Sequence, residues 1–464
     1  MQVLIILIAL GLLIFAAYRG ASVILFAPVA ALLAVLIIDP HALLPVYSGL
    51  FMERMASFMK LYFPVFLLGA VFGKLTEISG FAESIIRAVL RFAGPDRAIL
   101  SVVVVCALLT YGGVSLFVVA FAVYPFGAGL FRHAGIPKRL LPATIAFGAF
   151  TFTMDSIPGT PQIQNIIPTT FFHTTAWAAP QLGIAGALFQ VILGLAYLEW
   201  QKHRAKRKGE GYGDNHICEP DVHPNRPTVH PLIALVPLVV VAAVNLWLTS
   251  WIPVHYGRPF NFAASGILGV ESLDTSKLVG LWAVECALIV AILFVFVWCL
   301  FANRGALLDG TKQAVGGAML ATFNTGSEYG FGAVIAALPG FRVVSQSLTG
   351  GVGNPLVSMA ITTNVLAGLT GSASGGLSIA LGAMSGSFIA SGDAHGIPHE
   401  VLHRVASIAS GGMDTLPHNG AIITLLAISG LTHRHSYRDI FALTLLKTAS
   451  VFFVIALYYV LGIV

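Results

Sequence analysis

Three carboxylates stand where the chain is otherwise hydrocarbon: Asp155 in TFTMDSIPGTPQ, Asp414 in SGGMDTLPHNGA and Glu328 in NTGSEYGFG. An ionisable side chain at bilayer depth costs about 2.5–3.5 kcal/mol on insertion scales, so its presence points to ion or substrate handling. A buried carboxyl takes up and releases a proton near neutral pH, which makes Asp155, Asp414 and Glu328 the candidate proton-coupling groups. Neutral polar residues surround them: Ser115, Ser372 and Ser374, then Thr160, Gln162 and Asn165, then Thr415, His418 and Asn419. Such groups hydrogen-bond a carboxylate and hydroxyls without adding net charge, and His418 could also titrate. Gly112-Gly113 and Gly375-Gly376 lack side chains and let backbone approach a ligand closely. These thirteen positions form the candidate substrate-binding set. The competing reading is structural. Each aspartate would cap the half-helix that follows it, and the hydroxyls would bond their own backbone. No cation lies in these motifs, so an anionic ligand would depend on helix N-termini and neutral donors.

The motifs come in pairs. Gly112-Gly113 matches Gly375-Gly376 at an offset of 263, Gly135-Ile136-Pro137 matches Gly396-Ile397-Pro398 at 261, and Met154-Asp155 matches Met413-Asp414 at 259. A nearly constant shift across three motifs is an internal repeat.

The elements that must hold these residues are transmembrane. Of 464 residues, 57% are hydrophobic and 10% charged, with mean hydropathy +0.87. A soluble domain carries roughly 25% charged residues, so the expected class is an all-α polytopic membrane protein. The apolar start, Val3 to Ala17, lacks a basic lead and reads as a membrane helix, not a cleaved signal. Residues 1–200 form a first repeat, 201–230 a polar cytoplasmic linker and 231–464 a second repeat. Within each repeat, a glycine-centred stretch (97–131 and 355–391) has arms of only about 12–14 apolar residues. That is short of the roughly 20 needed to cross and suggests a re-entrant hairpin. Pro and Gly beside polar groups then mark a broken helix lining a cavity, at 139–170 and 400–431. Each repeat thus holds five transmembrane helices, ten crossings in all, and an odd number per repeat makes the two inverted. Of the 25 Lys and Arg, six (Arg54, Lys60, Arg258, Lys277, Arg342, Arg404) fall on or toward one face, and the other 19 on the opposite face or its edge. The positive-inside rule makes the rich face cytoplasmic and puts both termini outside. The pI of about 9.0 is therefore a matter of topology, and no nucleic-acid partner is expected. His216, Cys218 and His223 match no zinc spacing, and neither metal nor cofactor is expected.

Inverted repeats with paired broken helices are the pattern of secondary transporters. GGVS at 112–115 and GGLS at 375–378, HAGIP and AHGIP after them, MDSIP and MDTLP in the breaks, and YGFGAV at 329–334 resemble the gluconate:proton symporter (gluconate permease) family. The resemblance spans essentially the whole chain. It implies an elevator-type carrier of the ion transporter superfamily, a homodimer in a bacterial inner membrane. It also implies proton-coupled import of a small organic anion, such as a gluconate-like sugar acid or a 3-hydroxybutyrate-like acid. Phe147, Phe150 and Phe152, crowding the helix before the first break, tilt the choice toward a short hydroxy-acid. Sodium coupling is the main alternative, since hairpin carbonyls beside Ser and Asn also hold Na⁺. An intramembrane enzyme using Asp155 and Asp414 is disfavoured because no hydrolase motif accompanies them. The chain is read as a carrier, not an enzyme.

Overall fold

In a computed structural model the chain is described except at residues 1, 20, 94–96, 115, 214–218, 220–228, 258, 263–271, 276–277, 303–306, 342, 344–352 and 418. Ser115 and His418, and the linker residues His216, Cys218 and His223, lie outside the described residues. The regular elements among the described residues are helices, and one isolated antiparallel bridge joins Phe260 to Leu273.

In the first half, α1 (Gln2–Tyr18) and α2 (Val23–Ile38) lead through the helical turns Pro40–Met52 into α3 (Glu53–Ile78). The amphipathic α4 (Phe81–Ala93) precedes a pair, α5 (Ala98–Tyr111) and α6 (Leu116–His133). Next come α7 (Leu140–Ala149), an irregular stretch holding the single turn Phe152–Asp155, α8 (Ile163–Phe172) and α9 (Pro180–Arg207). The second half runs α10 (Pro231–Tyr256), α11 (Val279–Ala302) and α12 (Leu307–Ala337), then the pair α13 (Pro355–Thr370) and α14 (Ala373–Ala394). It ends with α15 (His399–Ser410), a second irregular stretch, α16 (Gly420–Ser429) and α17 (His433–Leu461).

Among the described residues, six helical stretches are long and apolar enough to cross a membrane: Pro40–Ile78, Pro180–Arg207, Pro231–Tyr256, Val279–Phe301, Ala373–Ala394 and His433–Leu461. The ten expected crossings include α1 and α2, which are shorter apolar helices. Side chains such as Leu7, Ile184, Leu188, Ile192, Val239 and Leu293 are exposed along the outside, as lipid contact demands and water does not allow over so large an area. Over 97–131 and 355–391 the chain forms helix pairs joined by short turns, and their second arms, of 18 and 22 residues, exceed the 12–14 expected of re-entrant arms. At 22 residues and 1.5 Å per residue, α14 is about 33 Å long.

The helices pack in two sets. In one, α3 lies along α11 and α12, with α1, α2 and α10 beside them. The other contains both hairpins, α7, α8, α9 and α15 to α17, with α5 on α7, α13 on α14 and α9 on α17. The sets meet where α12 runs along α14. On the polar linker, Glu210 accepts from Arg139, and Glu219 pairs with Lys138 and Arg132. Arg139 in turn bridges to Asp439 of α17, which also accepts from Tyr197 and Gln201.

The breaks fall where local chemistry stops a helix. After α7, Thr151 leaves helical geometry at φ −128°, ψ −126°. Pro158 and Pro161 have no N–H to donate, and Gly159 turns at φ +80° with the Trp177 ring filling the space a side chain would need. After α15, Gly411-Gly412 and Pro417 end the helix, and Asn419 starts the next one by accepting from Ala421 N (2.6 Å) and Ile422 N (3.0 Å).

The register between halves is simpler than the sequence motifs suggest. The hairpin turns are at Gly112-Gly113 and at Gly371-Ser372, where Gly371 adopts φ +65°. The turn positions differ by 259, the same offset as Asp155 and Asp414, and His399 opens α15 just 259 residues after Leu140 opens α7. Gly375-Gly376 is therefore not the second turn. It sits one helical turn inside α14 and serves packing: a methyl on Gly376 would meet the backbone of Ala367 and Leu366 in α13.

Candidate substrate and coupling site

Neither aspartate caps a half-helix. Asp155 is 1% exposed; its Oδ1 accepts from Ser156 Oγ (2.7 Å), and its Oδ2 is buried without a hydrogen-bond partner. Oδ2 lies against the backbone of Gly411 in the other break, where a side chain would collide with it. Asp414, 4% exposed, accepts at Oδ1 from Lys447 Nζ of α17 at 2.6 Å. Lys447 Nζ also donates to Phe150 O at 2.9 Å, and its charge acts on Asp155 as well. One ammonium thus lies between the acids of the two breaks.

No cation lies in the paired motifs, but two from outside them reach the centre. Arg404, counted from the sequence among the six cations on or toward the poorer face, is wholly buried in α15. It donates to Ala178 O, Ala176 O, Asp155 O and Asn165 Oδ1 at 2.7–3.4 Å. Lys447, counted with the richer face, is 1% exposed. Both sit mid-helix in stretches whose apolar neighbours give no sign of the distant carbonyls they reach. Only a periodic reading that placed Arg404 on the same face as the buried Val401 and Ile408 could have hinted at it.

Arg404 accounts for the first break. Its guanidinium and the Ser407 hydroxyl (2.8 Å) satisfy the loose Asp155 carbonyl, and Asn165 is used on every side. Asn165 Nδ2 donates to Thr160 O and Ala176 O at 2.9 Å, while Oδ1 accepts from Arg404 and lies 3.2 Å from His403 Nε2. Asn165 is therefore part of the scaffold of the break. Gln162 braces the first hairpin turn, donating to Thr110 O (2.7 Å) and Val114 O (3.4 Å), and Gly113 abuts Pro161. Thr160 keeps a fully buried hydroxyl without a partner.

The second hairpin and break are tied in the same way. Asn419 Nδ2 donates to Gly371 O at the turn and to Asp414 O, both at 2.8 Å. Thr415 Oγ1 is 2.6 Å from Thr444 Oγ1, and its carbonyl accepts from Tyr437 (3.1 Å). Asn364 of α13 presents a buried, unpartnered Oδ1 to the backbone at Gly412. Around the turn, Ser372 Oγ accepts from Gly375 N (3.0 Å) and lies 3.4 Å from Ser374 Oγ, which is 3.5 Å from Thr325 Oγ1 of α12. Glu328, 5% exposed on α12, packs its carboxylate on Gly375 and faces the Ser372 hydroxyl.

The predicted residues thus divide. Asp155 and Asp414 converge with Lys447, beside the backbone of Gly411. Glu328, Ser372, Ser374 and Gly375 form a second polar cluster at the hairpin turn. Asn165, Gln162, Asn419, Thr415 and Gly376 are spent on holding the backbone, and Gly112 packs against Leu238. Phe147 fills the space beside Gly194 of α9, and its ring is tilted against that of Phe152 at 5.5 Å, so both serve helix packing here. Among the described residues, no group of three or more His, Cys, Asp or Glu could hold a metal.

No family model matches the chain. The chain is 54% identical over 472 aligned positions to a Bacillus subtilis (strain 168) protein named uncharacterized transporter YxjC, with 100% of both chains covered. Among solved structures it is similar to the Alcanivorax borkumensis YdaH transporter, whose crystal structure is described as revealing an unusual topology. The TM-score is 0.53 at 16% identity, over 92% of this chain and 90% of that one, a likeness of fold alone. Full-length identity of this order, carried on a multi-pass helical fold, means that the chain belongs to the transporter family of YxjC.

Proposed function

We propose that this transporter is a proton-coupled importer of a small hydroxy-carboxylate. The observation that carries this reading is the meeting of the two broken helices at Asp155, Lys447 and Asp414. Buried acids sit there, in a chain that closes over them. Asp414 is committed to Lys447. Asp155 has one oxygen with no partner, so protonation there neutralises a charge without breaking an ion pair. Lys447, Asp414, Arg404 and Ser156 are the groups that face it. Glu328 is the second candidate carrier, poised at the hairpin turn. The serines beside it, Ser372 and Ser374, suit the hydroxyl and carboxylate oxygens of the substrate. A 3-hydroxybutyrate-like acid and a gluconate-like sugar acid are both within this class.

The remaining expectations fit this reading as proposals. The two halves are inverted repeats joined at 201–230. The hairpin set slides as an elevator against the set built on α3 and α10–α12. The protein works as a homodimer in a bacterial inner membrane with both termini outside. Asp155, Asp414 and Glu328 are all 5% exposed or less, so access to either side requires such a movement.

The test is uptake of labelled 3-hydroxybutyrate and gluconate into proteoliposomes, driven first by an inward proton gradient and then by an inward sodium gradient. Accumulation under the proton gradient, abolished by Asp155→Asn or Glu328→Gln, is the expected result. Absence of gradient-driven accumulation of any small hydroxy-acid overturns the substrate class, and accumulation unaffected by both substitutions overturns the coupling residues.

A further inference from the structure

Among the described residues, Lys447 is the cation of the centre that reaches across both breaks. Its Nζ donates two hydrogen bonds, one to a carboxylate and one to a backbone carbonyl. That carbonyl belongs to Phe150, the C-cap of α7, where the half-helix presents the negative end of its dipole. The carboxylate is Asp414 of the other break, and the Asp155 carboxylate faces the same charge from the first. Freed carbonyls at half-helix C-termini are the donors with which broken-helix carriers hold a sodium ion, and here a carboxylate stands beside one. Here the cation is covalently tethered to α17. The position 259 residues before Lys447 is Leu188, so the first half supplies no second ammonium.

We propose that the Lys447 ammonium occupies the place of a bound alkali cation between the two breaks, and that it makes this transporter independent of sodium. The two breaks are held together by a charge that cannot dissociate, so a coupling ion must enter elsewhere, as a proton on a neighbouring carboxyl. This deepens the proton-coupled reading, and rests on it only for the identity of the mobile ion. Cation replacement is read from stability, which needs no substrate. A failure of uptake therefore leaves this inference standing, and its own failure leaves the substrate class standing.

The experiment measures thermal unfolding of the purified full-length protein in sodium, potassium and choline chloride at equal ionic strength. The wild type is expected to unfold at one temperature in all three. Lys447→Ala, which vacates the ammonium site, is expected to unfold at lower temperature in choline. It should recover in a concentration-dependent way with sodium or with methylammonium, which restores the missing group. The paired variant Lys447→Ala with Asp414→Asn removes the ion pair as a unit; it is expected to fold and to ignore all cations. A wild type stabilised by sodium over potassium and choline overturns the proposal whatever the variants do. So does a folded Lys447→Ala that ignores both small cations, or a paired variant that still responds to sodium. A purely structural lysine would lose stability on truncation without a cation-specific recovery.

Discussion

The two hairpin-and-break units share a plan and differ in what holds them. In each, an amide from the break ties the adjacent hairpin turn: Gln162 to the carbonyls of Thr110 and Val114, Asn419 to that of Gly371. In each, a residue of a long neighbouring helix faces the turn, and the two positions differ by the same 259 residues. In the first half it is Gly69, near Gly113 O; in the second it is Glu328, beside Ser372 and Gly375. The cations are unequal too. Arg404, from the second half, closes the first break from outside; Lys447 binds the second break from within its own half. The first unit holds one acid, Asp155, and is braced by Arg404, whereas the second adds a further carboxylate, Glu328, and the serines at its turn. The paired motifs recur at a nearly constant spacing in the sequence, and the difference between the two units is the extra carboxylate, Glu328, at the second turn.

The sharpest break of this comparison sets the two aspartates against each other. Asp414→Asn strands a buried ammonium and is expected to cost about 3–5 kcal/mol. Asp155→Asn replaces a carboxyl whose Oδ2 has no partner and is expected to cost less than about 1 kcal/mol. Chemical denaturation of both purified variants checks the order, and a reversal would mean that Asp155 is the paired acid.

A smaller difference separates the paired glycines. A methyl on Gly376 meets the backbone of Ala367, which cannot step aside, and should cost about 1–3 kcal/mol. A methyl on Gly112 meets the side chain of Leu238, which can rotate away, and should cost less than about 1 kcal/mol. Equal losses of melting temperature for Gly376→Ala and Gly112→Ala would count against the shifted register.

The two braces should rank next. Asn419→Ala removes a helix cap and two cross-links, for about 2 kcal/mol. Gln162→Ala removes one good and one long hydrogen bond, for about 1 kcal/mol. Limited proteolysis at the two turns, alongside unfolding, tells whether each brace protects its own hairpin.

Ser374→Ala is the mildest. Its hydroxyl makes only long contacts of 3.4–3.5 Å, so stability should stay within about 0.5 kcal/mol. If the second turn binds substrate, uptake nonetheless falls; unchanged uptake with unchanged stability would remove Ser374 from the site.

Much of this architecture is legible in the amino-acid sequence by itself. Low charge and high hydropathy determine a polytopic helical membrane protein, because a chain with 10% charged residues cannot clothe itself against water. The paired MDxxP motifs place both helix breaks, since proline withholds a donor and glycine tolerates the turn. The apolar sequence around Asp155, Asp414 and Glu328 singles them out as candidates. What the tertiary structure alone decided was which of these groups are free. Asn165, Asn419 and Thr415 look like ligands in the sequence but are bonded to backbone or neighbouring helices. Gly375-Gly376 resembles the first hairpin turn in letters and lies one helical turn away from the second. Above all, Arg404 and Lys447 find acceptors 226–249 and 33–297 residues distant in the chain. Local pattern reports the spacing along one helix. It carries nothing about which distant carbonyl a buried cation meets, because that depends on how the two halves pack.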